Sequence, residues 1–280
     1  MAETLPFRPV PQRAVRWGGA AVLALSLGFI GRQLWRLDPG ALAGQASLPL
    51  AGAMTGGALL FAGADHLLAR GWQELADPQH RLDRRTAGAI YGRGVLLKYL
   101  PGSVFQYVSR QLGGAGAGLE QARLAKASLS EVGLHVVSSM SVAATCLAAG
   151  RQPLLAGGAL ALVAGASWLS RRPLLRALAC QIGAFSAFAG AGALLAGALL
   201  PAGGIALSLF AALFLLAWLA GFVVPIAPGG IGVREAALLA LAGPGVAAGP
   251  LLLTVLALRI ASVLGDLSYG LIALAAGRRG

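Results

Sequence analysis

Charge is scarce in this chain. Asp, Glu, Lys and Arg make up 11% of its 280 residues, roughly half the share of an ordinary soluble domain, and 57% of positions are hydrophobic. That balance excludes a water-soluble globular fold, because too few charges remain to cover its surface. Cysteine is nearly absent as well. The two that occur, Cys146 and Cys180, lie inside apolar runs, which rules out a disulfide framework and metal-ligand spacing and leaves each thiol as a small core hydrophobe. The sequence contains no His-Glu-x-x-His, no Gly-x-Ser-x-Gly and no acidic cluster for a metal. No catalytic residue, metal or cofactor is therefore assigned, and no enzyme activity is expected. Period-2 alternation is missing too, which excludes the strands of a membrane barrel.

Long uncharged runs take the place of what is missing: Ala41 to Ala64, Val132 to Gly150, Gln152 to Ser170, and an unbroken stretch from Ala177 to Val233. A membrane-spanning helix needs about 20 such residues. The expected fold class is all-α, a polytopic integral membrane bundle forming a single domain over 1–280. Helices are expected near 15–35, 45–68, 128–150, 152–170, 177–199 and 203–224, with a last long or broken helix near 249–277. The turn Pro201-Ala202-Gly203-Gly204 divides the longest run. Arg8, Arg13 and Arg16 precede the first apolar run in the manner of a signal peptide, but with so many spans following, an uncleaved first helix is expected.

The formal charge of +12 sits in short segments between apolar runs rather than along one face, so it speaks for topology and not for nucleic acid. Cations gather at the N-terminus, across 70–126 (Arg70, Arg81, Arg84, Arg85, Arg123 and Lys126 among them) and at Arg171, Arg172 and Arg176. Alternation of these clusters gives a cytoplasmic N-terminus. It also leaves Arg278 and Arg279 on the wrong side if the last helix crosses once, so the count stays at seven or eight spans.

Two segments do not behave as spans. Gly88 to Arg110 is apolar but carries Arg93, Lys98 and Arg110 and breaks at Pro101-Gly102. Each arm is about 10–13 residues, a reach of roughly 15–20 Å against a hydrocarbon core of about 30 Å. A hairpin that dips in and returns fits that length; an amphipathic helix lying at the surface is the alternative. The second broken segment, about 223–242, holds Pro225, Pro228, Gly229, Gly230 and Gly232 before Arg234 and Glu235. Continuous helix through it is excluded by the prolines. The helix start at Val233 offers free N–H groups to an anion such as phosphate, with Arg234 adding a full charge; a plain tight connection is the competing reading. In both segments Pro-Gly is followed by an arginine and then by an apolar span whose ionisable residue, Glu131 or Arg259, comes about 30 positions after the proline. Paired breaks of this kind in two halves of a chain point to a transporter's binding site.

Glu131, Arg259 and Asp266 fall in or beside expected spans, where a central charge costs at least ~3 kcal/mol. A Glu131–Arg259 pair joining the two halves is expected to offset much of that cost. His135, one turn beyond Glu131, is expected to be a hydrogen-bonded core histidine rather than a proton relay.

Taken together, Lys98-Tyr-Leu-Pro-Gly102 with Arg110, Glu131, Pro228-Gly-Gly-Ile-Gly-Val-Arg-Glu235, Arg259 and Asp266 resemble the lysylphosphatidylglycerol synthase transmembrane-domain family over roughly residues 10–277. The resemblance implies a membrane domain that moves lipid between leaflets, without the soluble synthase domain that some members carry. Relatives made of the membrane portion alone are tied to lipid-linked sugar, polyprenyl-phosphate or hopanoid pathways. It places Lys98, Tyr99, Arg110, Glu131, Arg234, Glu235 and Arg259 at the substrate, with Lys98, Arg110 and Arg234 on an anionic headgroup and Glu131 and Arg259 steadying the cavity. Pro101, Gly102, Pro228, Gly229, Gly230, Gly232 and Asp266 belong to its structural motifs. The expected partner is thus a membrane lipid with an anionic headgroup or a polyprenyl-phosphate carrier, with envelope-pathway enzymes possible as further partners, in the bacterial inner membrane. A membrane-embedded lipid-modifying enzyme and a non-transporting assembly partner are the competing functions.

Overall fold

A computed structural model describes residues 48–99, 105–223, 232–243 and 245–278. The expected first helix over 15–35, and Pro101, Gly102, Pro228, Gly229 and Gly230, lie outside the described residues. Among the described residues there are nine helices and no strand: α1 Leu48–Ala76, α2 Arg84–Leu97, α3 Phe105–Gly116, α4 Gln121–Ala149, α5 Pro153–Leu169, α6 Pro173–Leu199, α7 Leu207–Val223, α8 Val233–Ala242 and α9 Ala248–Gly277.

Local chemistry sets several of these boundaries. Pro153 and Pro173 stand in the first turns of α5 and α6, where a missing N–H costs nothing and the fixed φ suits a helix start. Asp83 caps α2, its carboxylate accepting from the N–H groups of Arg85 at 2.8 Å and Thr86 at 3.0 Å. α1 and α2 both extend beyond the apolar runs. α1 continues to Ala76 rather than ending near 68, because Leu68, Trp72 and Ala76 prolong the buried stripe at helical spacing through a charged sequence. The last helix is continuous over 30 residues, which settles the choice between long and broken.

Among the described residues three helices are long and apolar enough to cross a membrane: Gln121–Ala149, Pro173–Leu199 and Gly249–Gly277. α5 and α7 are apolar but 17 residues long, and α1, at 29 residues, carries Asp65, Arg70 and Glu74. The outer surface suits lipid. In α5 only Ser167 is buried, while Leu154, Leu162 and Leu169 are 89%, 76% and 83% exposed. A soluble protein covers a face of that kind, whereas lipid solvates it.

Close contacts fix the directions. α1 and α6 run antiparallel, with Gly71 against Ala177 and Gly57 against Leu195. α9 runs parallel to α1, Gly265 meeting Phe61, and antiparallel to α2, Gly92 meeting Ala273 and Gly277 meeting Ala89. The C-terminal end of α9, with Arg278, therefore lies beside Arg85 at the end of the bundle that also holds Arg176, which is bonded to Glu74 at 2.6 Å. Loops 77–83, 117–120 and 170–172 join helices at this basic end. At the opposite end the loops 150–152, 200–206 and 243–247 hold Arg151 as their one charged residue among those described.

Candidate functional site

The helices flanking the two breaks pack as two antiparallel pairs, each a hairpin in outline. In the first, α2 and α3 pack antiparallel: Ile90 touches Gly113, and Gly94 lies so close to Gln106 and Arg110 that an added Cβ would come within 3.0 Å of the Gln106 carbonyl. In the second, α7 descends and α8 returns along it, with Gly221 against the Arg234 side chain, where a Cβ would sit 3.0 Å from Nε. The first hairpin opens toward the basic end and the second toward the other end. Their inner ends meet at one cavity of about 530 Å³, lined by Lys98 and Tyr99 from the first hairpin and by Arg234 and Glu235 from the second. Arg110, Arg259 and Asp266 also line it, so these residues, read from sequence as one site, are brought together. Glu131 stands behind Arg110 and is not part of the lining.

The expected Glu131–Arg259 pair is replaced by two other pairs. Arg110 Nη1 donates to both oxygens of Glu131, at 2.8 and 2.6 Å, and Tyr91 donates to the same carboxylate at 2.9 Å. Arg110 and Glu131 are buried, and the guanidinium is sandwiched by the rings of Tyr91 and Tyr107 at 4.6 and 4.8 Å. Arg259 instead approaches Glu235 at 4.0 Å. The cost of leaving each charge alone in a span had suggested that Glu131 and Arg259 pair; the returning arm of each hairpin interposes its own charge first. Asp266, read as a structural residue, joins the site through Lys98 Nζ at 2.7 Å and the Tyr99 hydroxyl.

The helix start at Val233 does not stand open as expected. Gly232 adopts φ 88°, a left-handed conformation suited to glycine, and its N–H donates to the Glu235 carboxylate at 2.6 Å. The chain's own acid thus occupies the cap. The free charge at this tip is the side chain of Arg234, which lies over the Trp218 ring at 5.1 Å. Among the described residues no carboxylate pairs with Arg234, and its buried Nε has no hydrogen-bond acceptor.

Comparison with known proteins finds no family model and no curated protein that matches the chain. The site is therefore assigned from its own chemistry. Its floor is aromatic: Phe188, Trp218 and Phe222 line it, with Trp218 and Phe222 stacked at 5.1 Å, and Phe185 packs against Phe188 and Trp218 behind them. His135 is edged by the same rings, and its Nδ1 lies 2.7 Å from the Gln181 side-chain oxygen, a buried hydrogen-bonded histidine as the sequence suggested. One charged lining residue escaped the sequence reading altogether. Asp65 is 2% exposed and faces the cavity from α1. The signal that could have found it is its place in the stripe Phe61, Asp65, Leu68 and Trp72, all buried and spaced three or four apart.

Proposed function

We infer that this protein is a lipid translocase of the bacterial inner membrane that shelters an anionic headgroup, of phospholipid or polyprenyl-phosphate type, while the tails stay in lipid. The observation that carries this reading is Arg234: a guanidinium without a carboxylate partner among the described residues, stacked on Trp218 at the rim of a cavity with an aromatic floor. Guanidinium binds phosphate through directed hydrogen bonds, and rings suit the glycerol or first isoprenyl carbons beneath it. The resemblance to lysylphosphatidylglycerol synthase membrane domains points the same way.

On this reading the hairpins are re-entrant and their tips meet in mid-membrane. The seven or eight spans expected from hydropathy become six full crossings (the expected helix over 15–35, then α1, α4, α5, α6 and α9) plus two hairpins, with α7 as the long arm of the second. The basic end faces the cytoplasm, as does the N-terminus, and Arg278 then obeys the charge rule that had left it misplaced. Irregular backbone in the membrane must be buried or face water, and on this reading a wet cavity between the hairpins meets that need.

Reconstitution into vesicles holding fluorescent phosphatidylglycerol tests the function. Wild-type protein should accelerate loss of fluorescence to an external quencher, and Arg234→Ala should not. Equal rates for Arg234→Ala and wild type would remove the basis of the assignment.

A further inference from the structure

The cavity holds more carboxylate than its ion pairs use. Three cations around it are matched, Arg110 by Glu131, Lys98 by Asp266 and Arg259 by Glu235. A fourth, Arg234, and a fourth carboxyl, Asp65, also line it, without an ion pair among the described residues. Asp65 lines the same cavity as Asp266, and both are buried on helices that pack closely, Gly57 meeting Ala261 and Gly265 meeting Phe61. The Asp65 Oδ2 is buried and receives no donor among the described residues. Two buried carboxyls beside one cavity cannot both be ionised at low cost, which favours a proton on one of them. Lys98 neutralises the charge that remains.

The groups around this pair come from every packed element. α2 presents Lys98, Tyr91 and the Tyr99 hydroxyl, which bonds to Asp266. α9 presents Arg259 and Tyr269, α8 presents Arg234 at longer range, and α6 contributes the ring of Phe188. Counting the described residues in and directly behind the lining, the shared proton leaves one positive charge in excess, enough for a monoanion. Without it, four cations balance four carboxylates and an added anion has nothing to neutralise it.

We propose that Asp65 and Asp266 form a proton-sharing carboxyl pair whose protonation is required for the cavity to bind a singly charged phosphate ester, so that one proton accompanies each anion bound. This rests on the reading of Arg234 as the anion site and adds what that reading lacks, a coupling ion. Since the proton favours the anion, affinity is full below the titration of the pair and falls as pH rises through it.

The test uses the full chain in nanodiscs and dioctanoyl phosphatidylglycerol, whose phosphodiester stays singly charged across neutral and alkaline pH. By calorimetry, wild-type affinity should fall about tenfold per pH unit above the titration point, with about one proton taken up per lipid when two buffers of different ionisation heat are compared. Asp65→Asn should bind at the wild-type low-pH affinity at every pH. A flat wild-type profile, or an unchanged slope in Asp65→Asn, overturns the proposal. Infrared difference spectra without lipid should show a protonated-carboxyl band that wild type loses in alkali and Asp65→Asn lacks; its absence from wild type overturns the proposal independently. Should the lipid fail to bind, or bind Arg234→Ala equally, the anion-site reading falls while the carboxyl band still decides the shared proton. Glycerophosphoglycerol, which lacks the acyl chains, separates a lipid site from one for soluble phosphodiesters: equal affinity for it overturns the lipid assignment.

Discussion

The two hairpins contain the same parts in opposite order and use them differently. In the first, the returning arm carries a base, Arg110, that meets an acid, Glu131, on the next long helix. In the second, the returning arm carries an acid, Glu235, that meets a base, Arg259, on the next long helix. The first pair is close, buried and locked by Tyr91. The second is at the 4.0 Å limit, borders the cavity and has Arg234 beside it. One layout thus serves once as a clamp and, on the proposed reading, once as a socket. A buried pair whose every oxygen is taken can only hold helices together, whereas on that reading a guanidinium with no carboxylate partner among the described residues is placed to meet a ligand.

Breaking the clamp should have the largest effect. Replacing Glu131 by Gln leaves a buried guanidinium uncompensated, and thermal unfolding of the purified protein should show a loss of about 3–5 kcal/mol. The double variant Arg110→Met, Glu131→Leu should recover most of it, since two apolar side chains of similar size remove both charges together. An unchanged melting curve for Glu131→Gln would show that the pair is not a clamp.

Changing the socket should move function and spare the fold. Arg234→Ala should melt close to wild type yet bind dioctanoyl phosphatidylglycerol roughly ten- to a hundredfold more weakly, the scale of one or two charge-assisted hydrogen bonds. Large destabilisation with unaltered affinity would reverse the roles assigned to the two hairpins. A smaller effect of the same kind is expected from Gly221→Ala, since a Cβ there would displace the Arg234 side chain from Trp218. Its affinity should lie between those of wild type and Arg234→Ala; wild-type affinity would mean that Arg234 is not held by this contact.

The smallest effect belongs to the foot of the first hairpin. The Thr86 hydroxyl, together with backbone N–H groups, holds the Asp83 carboxyl below its usual range. Its folded-state pKa is depressed, so the cap contributes above the unfolded value and is lost as pH falls through the folded one. Hydrogen exchange in the first turn of α2 should quicken in acid for wild type and be quick at all pH values for Asp83→Ala. Identical exchange in the two proteins would remove the cap from the account.

Much of this was legible beforehand because lipid imposes simple rules. The run from Gln152 to Ser170 becomes α5, and the Pro201-Gly204 turn separates α6 from α7, since apolar length and turn residues decide both. The helices on either side of each interruption pack antiparallel. What was not legible was who faces whom. Glu131 and Arg259 sit at matching places in two halves, but sequence spacing does not carry the rotation of a helix about its axis, and each met the charge on its own hairpin. Asp65 was hidden by its neighbours: the uncharged run ends at Ala64, so the carboxyl looked like the edge of a span, whereas α1 carries on for three more turns and leaves it inside.

On the proposed reading the two hairpins enter the membrane from opposite sides and stop at a common chamber, which thins the insulation of the membrane at that spot. The transmembrane voltage then drops over less than the full bilayer. Each elementary charge moved across that thinner layer feels up to about 2.3 kcal/mol per 100 mV. Cells that keep a strong electrical potential would thereby bias the direction in which the chamber loads and empties.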